Sequence, residues 1–323
     1  MKKSARTVLV AGSVFLLLIV SLCSGVADIE WRLVLSHWPD GIDWIVLTES
    51  RWPRTAAVAL AGAGLSVAGL VMQMLARNRF AEPSTTGTVE AAALGALLVA
   101  LFAPAATVLE KILGATAVAL LLSGVFLQLI RSLPPRSGFV VPLVGLIFGA
   151  ILHSVATLIA LRYHLTQALH GWDLGDFSSV LKGRYEPMWM LVPLIVAAYA
   201  IADRLTLMGL GSAVARSLGV NYRRTLTLGL ALVCAASAIV VVCVGSFPFL
   251  GLVVPNLVRL RHGDNVRAAL PRVALMGAGL TLICDILGRH LVAPYELPAS
   301  TIAGVIGAIA VVLLLRSKHV HAD

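Results

Sequence analysis

Charge is scarce in this chain. Asp, Glu, Lys and Arg make up 13% of its 323 residues against 59% hydrophobic, with a mean hydropathy of +0.93. A soluble domain of this length needs more polar surface to cover its core, so the composition is that of an integral membrane protein. Cysteine is also rare, and Cys23, Cys234, Cys243 and Cys284 all fall in apolar runs without a C-x-x-C spacing. They read as small apolar core residues, so neither a disulfide framework nor a metal site is expected. The phosphate-cradling G-x-x-x-x-G-K-[ST] pattern is missing, which excludes ATP use by that route. No H-E-x-x-H, nucleophile elbow or pair of catalytic carboxylates occurs either, so no enzyme is expected and no cofactor in this chain.

What fills the chain is a series of apolar runs, at 7–27, 54–76, 88–108, 112–130, 139–161, 188–203, 225–244, 247–258, 271–288 and 299–315. Lipid offers backbone groups no partners, and the runs are continuous rather than alternating, so each is expected to be helical. The fold expected is all-α and polytopic, about ten transmembrane helices in a single domain over 1–323. The run at 247–258 is too short to span alone. With Gly245, Pro248, Gly251 and Pro255 around it, a broken or re-entrant helix is expected there.

With the N-terminus in the cytoplasm and the runs alternating, 17 Lys and Arg fall inside and 8 outside, together the 25 of the sequence. That bias fits ten spans with both termini cytoplasmic. The net charge of +9 then reflects orientation and not nucleic-acid binding, since no basic face interleaves with aromatics. Met1-Lys2-Lys3, an apolar run and Gly25-Val26-Ala27 also have the form of a cleaved secretory signal. Retention as the first span is the expected state, because removal would put the two ends on opposite sides. His153 and His290, near or inside spans, read as helix-contact hydrogen bonders, and His319 and His321 as part of a solvated tail.

Three polar segments interrupt the apolar pattern. In 205–221, Gly209, Gly211 and Gly219 bracket a short helix carrying Val214, Ala215 and Leu218 on one face and Arg216 on another. That apolar face either packs on its own bundle or docks into another protein. Arg51-Trp52-Pro53-Arg54 opens the second span on the outer side, with Trp52 as an interface anchor and Pro53 in the first turn. Arg51, Arg54 and, at the end of the ninth span, Arg289 either snorkel to lipid phosphate or meet an acidic partner; Asp285, four residues before Arg289, offers an internal ion pair instead. The stretch from Gln73 to Glu90 breaks one helix and opens another, with Ser84, Thr85 and Thr86 as capping candidates. Glu90 is either held by the helix N-terminus or lines a pathway.

At these residues the chain resembles the permease subunits of iron-chelate and cobalamin importers of the ATP-binding-cassette class. The resemblance runs nearly end to end. It rests on Arg51-Trp52-Pro53-Arg54, on Arg77-Asn78-Arg79-Phe80-Ala81-Glu82-Pro83, on Ser217-Leu218-Gly219-Val220-Asn221, and on Gly251-Leu252-Val253-Val254-Pro255-Asn256 continuing through Asp285 to Arg289 and Glu296-Leu297-Pro298. Many members carry Pro where this chain has Arg79 and His where it has Asn256. Together with Gly87-Thr88-Val89-Glu90 and the segment from Trp172 to Glu186, these variants resemble a subgroup importing ferric catecholate-type siderophores.

The resemblance implies a type II importer permease in the bacterial cytoplasmic (inner) membrane, moving its cargo by alternating access at a permease dimer interface. The dimer would pair identical subunits or two related ones. Two cytoplasmic ATP-binding subunits would supply ATP-Mg chemistry, seated on a coupling segment of Gly211, Val214, Ala215, Arg216, Leu218 and Gly219. Arg51, Arg54 and Arg289 would meet glutamates of an extracytoplasmic substrate-binding protein. Asn78, Arg79 and Phe80, with the turn at Ser137 and Gly138, would form the cytoplasmic gate, and Glu90 would lie on the pathway. Cobalamin or haem cargo with the same architecture, or an ion-coupled secondary transporter using Glu90 or Asp285, are the competing expectations.

Overall fold

A computed structural model describes residues 2–25, 41–132, 140–292 and 295–316, and every regular element among them is helical. Val26 and Ala27 of the cleavage-like stretch, and His319 and His321, lie outside the described residues. The order begins with α1 (Lys2–Cys23), α2 (Ile42–Val46), α3 (Trp52–Ala76), α4 (Thr88–Phe102), α5 (Val108–Ser132), α6 (Val140–Arg162) and α7 (Thr166–Asp173). It continues with α8 (Leu191–Ala200), α9 (Ala202–Gly209), α10 (Ser212–Ser217), α11 (Tyr222–Val244), α12 (Leu250–His262), α13 (Val266–His290) and α14 (Ala299–Arg316).

Among the described residues, five helices are long and apolar enough to cross a membrane: Ile42–Ala76, Val108–Ile130, Val140–Arg162, Tyr222–Val244 and Val266–His290. A sixth arises if α8 and α9, which meet at a 60° bend, count as one span. Three shorter apolar helices, Leu9–Cys23, Thr88–Phe102 and Ala299–Leu314, fall below the length of a full crossing. The fold is therefore all-helical with five to six clear candidate spans.

Pro53 sits in the first turn of α3, as expected, although helical backbone leads into it from Ile42 through a π-helical turn at Leu47–Arg51. The ring has no N–H to give the carbonyl four residues back, and the widened turn accommodates it. That carbonyl, Glu49 O, accepts instead from the backbone N–H of Lys182 (3.0 Å). The expected break before α12 is present. Gly245 (φ 89°) and Phe249 (φ 66°) take left-handed conformations there, and a Cβ on Gly245 would strike the Leu174 carbonyl. The 13 residues of α12 reach about 20 Å at 1.5 Å per residue, short of a hydrocarbon core of about 30 Å.

α3 is the axis of the bundle, packed by α13, α11, α12 and α8. Between lipid-soluble helices burial supplies little driving force, so close backbone approach and interhelical hydrogen bonds must hold them. A Cβ on Gly62 would collide with the Gly277 carbonyl and the Thr281 hydroxyl, and one on Gly69 with the Gly251 backbone. Thr281 Oγ1 uses this proximity to donate to Val58 O across the α3–α13 seam (3.0 Å).

Candidate functional site

At one end of the bundle, the close of α1, the start of α3 and the close of α13 converge. Helix α1 ends with carbonyls that have no partner further along the helix. Arg51 Nη1 donates to Leu22 O (2.9 Å) and Cys23 O (3.0 Å). Arg289 Nη1 donates to Ser21 O (3.1 Å) and Ser24 O (2.8 Å), with its Nη2 near Ser21 Oγ (3.3 Å). Two cations thus close the negative end of the α1 dipole.

Asp285, its side chain 1% exposed, is ion-paired with Arg289 at 4%. Asp285 also accepts from Arg54 Nε (3.2 Å) and Nη2 (2.9 Å), while Arg54 Nη1 reaches Glu296 Oε2 (2.7 Å). Three guanidinium groups against two carboxylates leave one net positive charge. The arginines expected as an open positive pocket are brought together, but as an internal network. Arg54, 13% exposed, and Glu296 form its rim. Arg289 Nε is buried without a hydrogen-bond partner. On the same flank, the exposed Lys182 pairs with Glu49 (2.6 Å), and that hydrogen bond and the adjacent negative charge hold its ammonium pKa above the ordinary value.

At the opposite end, Arg77 (φ 51°) stops α3 and turns the chain into an elbow. Asn78 N–H donates to Gln73 O (3.0 Å), and Asn78 Oδ1 accepts from Phe80 N–H (2.8 Å). Asn256 Nδ2 donates to Arg79 O and to Leu252 O, each at 2.8 Å. Arg79 and Asn256, the two positions singled out by the resemblance, therefore touch. Asp264 joins the elbow to α12: Arg79 Nη2 is 3.7 Å away and Arg259 Nε donates to it at 2.7 Å. Arg259 Nη1 continues to Gln73 Oε1 (3.2 Å). Phe80 packs with Leu252, Val253 and Leu314. A cavity of about 180 Å³ opens among these groups.

Ser84, Thr85 and Thr86 do not cap α4, whose N-cap is Gly87 without a side-chain hydrogen bond. They form a 3-10 turn whose hydroxyls serve the elbow itself, and Thr85 Oγ1 accepts from Glu82 N–H (3.0 Å). Glu82, buried, accepts from Ser84 Oγ (2.5 Å) and from Phe249 N–H (3.1 Å). A carboxylate thereby meets the unpaired amides at the start of α12, the place where helix geometry favours negative charge.

The short helix expected in 205–221 forms as α10. Gly211 (φ 115°) opens it and Gly219 (φ 78°) closes it, both in conformations a side chain would strain. An added Cβ at Gly211 would lie 3.4 Å from Arg77 Nη2, so the segment rests on the elbow end of α3. Its apolar residues divide. Ala215 is buried on its own bundle, whereas Val214 and Leu218 are 42% and 58% exposed. Arg216 lies over the Tyr222 ring (5.9 Å to the centroid).

Glu90 is separate from Asn78, Arg79 and Phe80. It lines a cavity between α4, α6 and α7 with Gly149, His153, Trp172 and Asp173. Ser137 and Gly138 lie outside the described residues. Sequence reading missed Asp264, Arg259, Gln73 and Asp173 as site residues. Asp264 carried a signal, as a lone acid in the Gly263-Asp264-Asn265 connection between apolar runs; Gln73 and Asp173 lay in segments the sequence marked, from Gln73 to Glu90 and from Trp172 to Glu186, but without a partner until folding set them beside arginine and histidine.

A petrobactin import system permease protein of Bacillus anthracis is 41% identical over 306 residues, 95% of this chain and 89% of the relative. A ferric-anguibactin transport system permease protein of Vibrio anguillarum is 38% identical over 295 residues, 91% of this chain and 93% of the relative. Among solved structures, a metal-chelate type ABC transporter in an inward-facing conformation matches with a TM-score of 0.80 at 23% identity, over 97% of this chain and 99% of that one, and so shares its fold. The model of the FecCD transport family matches residues 13–317, and the chain belongs to that family.

Proposed function

We propose that this chain is the transmembrane permease subunit of an ATP-driven importer that carries ferric siderophore, of catecholate type, across the bacterial cytoplasmic membrane. The single observation that carries the reading is the family match over 13–317, with relatives named for petrobactin and anguibactin import covering almost the same length. ATP hydrolysis belongs to a separate subunit, which the missing phosphate loop requires. In this reading the 323 residues form one domain of about ten crossings, type II importer permease-like, with both termini cytoplasmic; α1, α4, the bent α8–α9 pair, α12 and α14 complete the crossings that the five long helices begin.

The elbow end faces the cytoplasm. Val214 and Leu218, exposed at the tip of α10, seat in the ATPase subunit, while Gly211 and Gly219 fix the turns around them and Ala215 anchors the helix to its own bundle. Arg216 flanks that contact. Asn78, Arg79 and Phe80 form the inner gate, locked to α12 through Asn256 and Asp264. A second permease subunit completes the path. The arginine-rich end faces the extracytoplasmic binding protein. There the net positive charge of the Arg51, Arg54 and Arg289 network attracts acidic side chains, and Arg54 at the rim makes the contact.

The test is radioiron uptake from a ferric catecholate chelate, in cells lacking this chain and in cells with it restored, with ATP intact or depleted. Uptake that requires both the chain and ATP is expected. Normal uptake without the chain overturns the cargo assignment, and uptake that follows the proton gradient with ATP depleted overturns the ATP-driven mechanism.

A further inference from the structure

Helix α6 has 23 residues, about 34 Å at 1.5 Å per residue, and Gly149 to His153 occupy its middle. At that level α7 folds back against α6, α4 begins, and the α11–α12 break brings in Ser246. Interrupted helices meeting beside the middle of a candidate span leave irregular backbone, which a membrane protein tolerates where it is buried in protein or lines a cavity, and transporters hold ligands at such places. The cavity here is about 270 Å³, lined by Val89, Glu90, Ala93, Gly149, Ala150, His153, Trp172, Asp173 and Ser246.

Its chemistry has a sign. Lys and Arg outnumber Asp and Glu by 25 to 16 in the chain, yet the lining holds two carboxylates and neither Lys nor Arg. Asp173 has a loose neighbour in His153, Nδ1 to Oδ1 3.8 Å, and His170 also lies near it. Glu90 Oε2 is buried with no hydrogen-bond partner. An unpaired carboxylate oxygen in a low-dielectric wall is costly unless a cation or proton meets it. Trp172 adds an indole, the ring most favourable to cations. No group of three metal-ligating side chains converges among the described residues, so carboxylates plus an aromatic ring suit an alkylammonium rather than a metal ion.

We infer that the cavity bounded by Glu90, Trp172 and Asp173 binds a protonated amine, and that the cargo this permease favours carries such a group. The inference about cargo rests on the importer reading above; the binding of an amine does not. Glu90 and Asp173 supply the charge and Trp172 the face, with the imidazoles of His153 and His170 beside Asp173.

Two measurements test this on the complete chain. In the first, Ala150→Cys, a residue of the cavity wall, is labelled with a maleimide in nanodiscs, and labelling is read at residue 150 by mass spectrometry. n-Butylammonium should slow labelling several-fold where n-butanol does not, and Asp173→Asn and Glu90→Gln should each remove the protection. Equal effects of amine and alcohol, or none, would overturn the site. In the second, the assembled transporter is offered two ferric catecholate chelates that differ only in an amine or an ether in the linker. The variants should lower uptake of the amine chelate about ten-fold more than that of the ether chelate, per assembled transporter. Asp173 is partly exposed, so its Asn variant should assemble normally; an unchanged ratio in that variant overturns the cargo inference. Amine protection in the first measurement without ATP-dependent uptake of either chelate in the second would retain the site and reject the importer cargo instead.

Discussion

The two ends of the bundle are both built from arginine and aspartate, and they differ in what surrounds the charges. At the end where α1, α3 and α13 meet, Asp285 and Arg289 are 1% and 4% exposed and every charge serves several partners. At the elbow end, Asp264 is 60% exposed and holds Arg79 and Arg259 from the surface. Breaking a buried, multiply bonded pair costs about 3–5 kcal/mol because the partner is left charged and dry. An exposed pair is screened by water and salt and is worth about 0–1 kcal/mol. The first network is thus suited to fixing helices and the second to being made and broken, as a gate requires.

The sharpest way to break this comparison is Asp285→Ala. Arg54 and Arg289 would lose their shared acceptor, and Arg289 would retain only the α1 carbonyls and the Ser21 hydroxyl. Stability should fall by about 3–5 kcal/mol, read as lower membrane yield and earlier thermal unfolding in detergent. The double change Asp285→Leu with Arg289→Met should recover part of it, since an apolar pair of similar size removes both buried charges together, while Arg54 keeps Glu296 alone and the Ser21 and Ser24 carbonyls lose Arg289. A single Asp285→Ala that unfolds with wild type would show that the network contributes no more than a surface pair.

The second effect lies at the elbow end. Val214→Asp with Leu218→Asp should abolish co-purification of the ATPase subunit and ATP-dependent uptake, with yield and unfolding temperature unchanged. Both side chains are exposed in the isolated chain, and an apolar anchor at the centre of an interface is commonly worth about 2 kcal/mol or more. Ala215→Asp is the contrast. It buries a charge against the bundle and should lower yield itself. Retained ATPase binding in the double variant would move the coupling contact elsewhere.

Much of the architecture was legible in the sequence because lipid leaves few options. Continuous apolar runs must be helices, and the Gly and Pro cluster at 245–255 did mark a break before α12. The short helix in 205–221 was readable from its bracketing glycines. Less legible was anything that depends on which face of a helix meets which neighbour. The four-residue spacing of Asp285 and Arg289 pointed to their pairing, but capture of the α1 carbonyls by Arg51 and Arg289 involves residues about 28 and 268 positions apart. Likewise Ala215 shared an apolar face with Val214 and Leu218 on paper, and only packing separates the one that is buried from the two that are not. Pro53 marked the first turn of α3, but the π-helical turn that leads into it left no sign in the sequence.

The smallest expected change is also the one that separates holding from gating. Asp264→Asn keeps the size of the side chain and removes its charge from between Arg79 and Arg259. Because that carboxylate is mostly in water, unfolding should shift by less than about 1 kcal/mol, within the scatter of many surface variants. Arg259 would keep Gln73, and Arg79 would keep the Asn256 contact to its carbonyl, so the elbow should stay folded. If the elbow is the inner gate proposed above and opens by breaking this bridge, what should change is the balance between closed and open inner ends, and a shift needs no more than the difference the bridge makes. The measurement is basal ATP hydrolysis by the assembled transporter without cargo, expected to rise in Asp264→Asn and to become less sensitive to salt. A loss of stability near that of Asp285→Ala, with hydrolysis unchanged, would place the elbow network among the fixed supports of the fold and erase the distinction between the two ends.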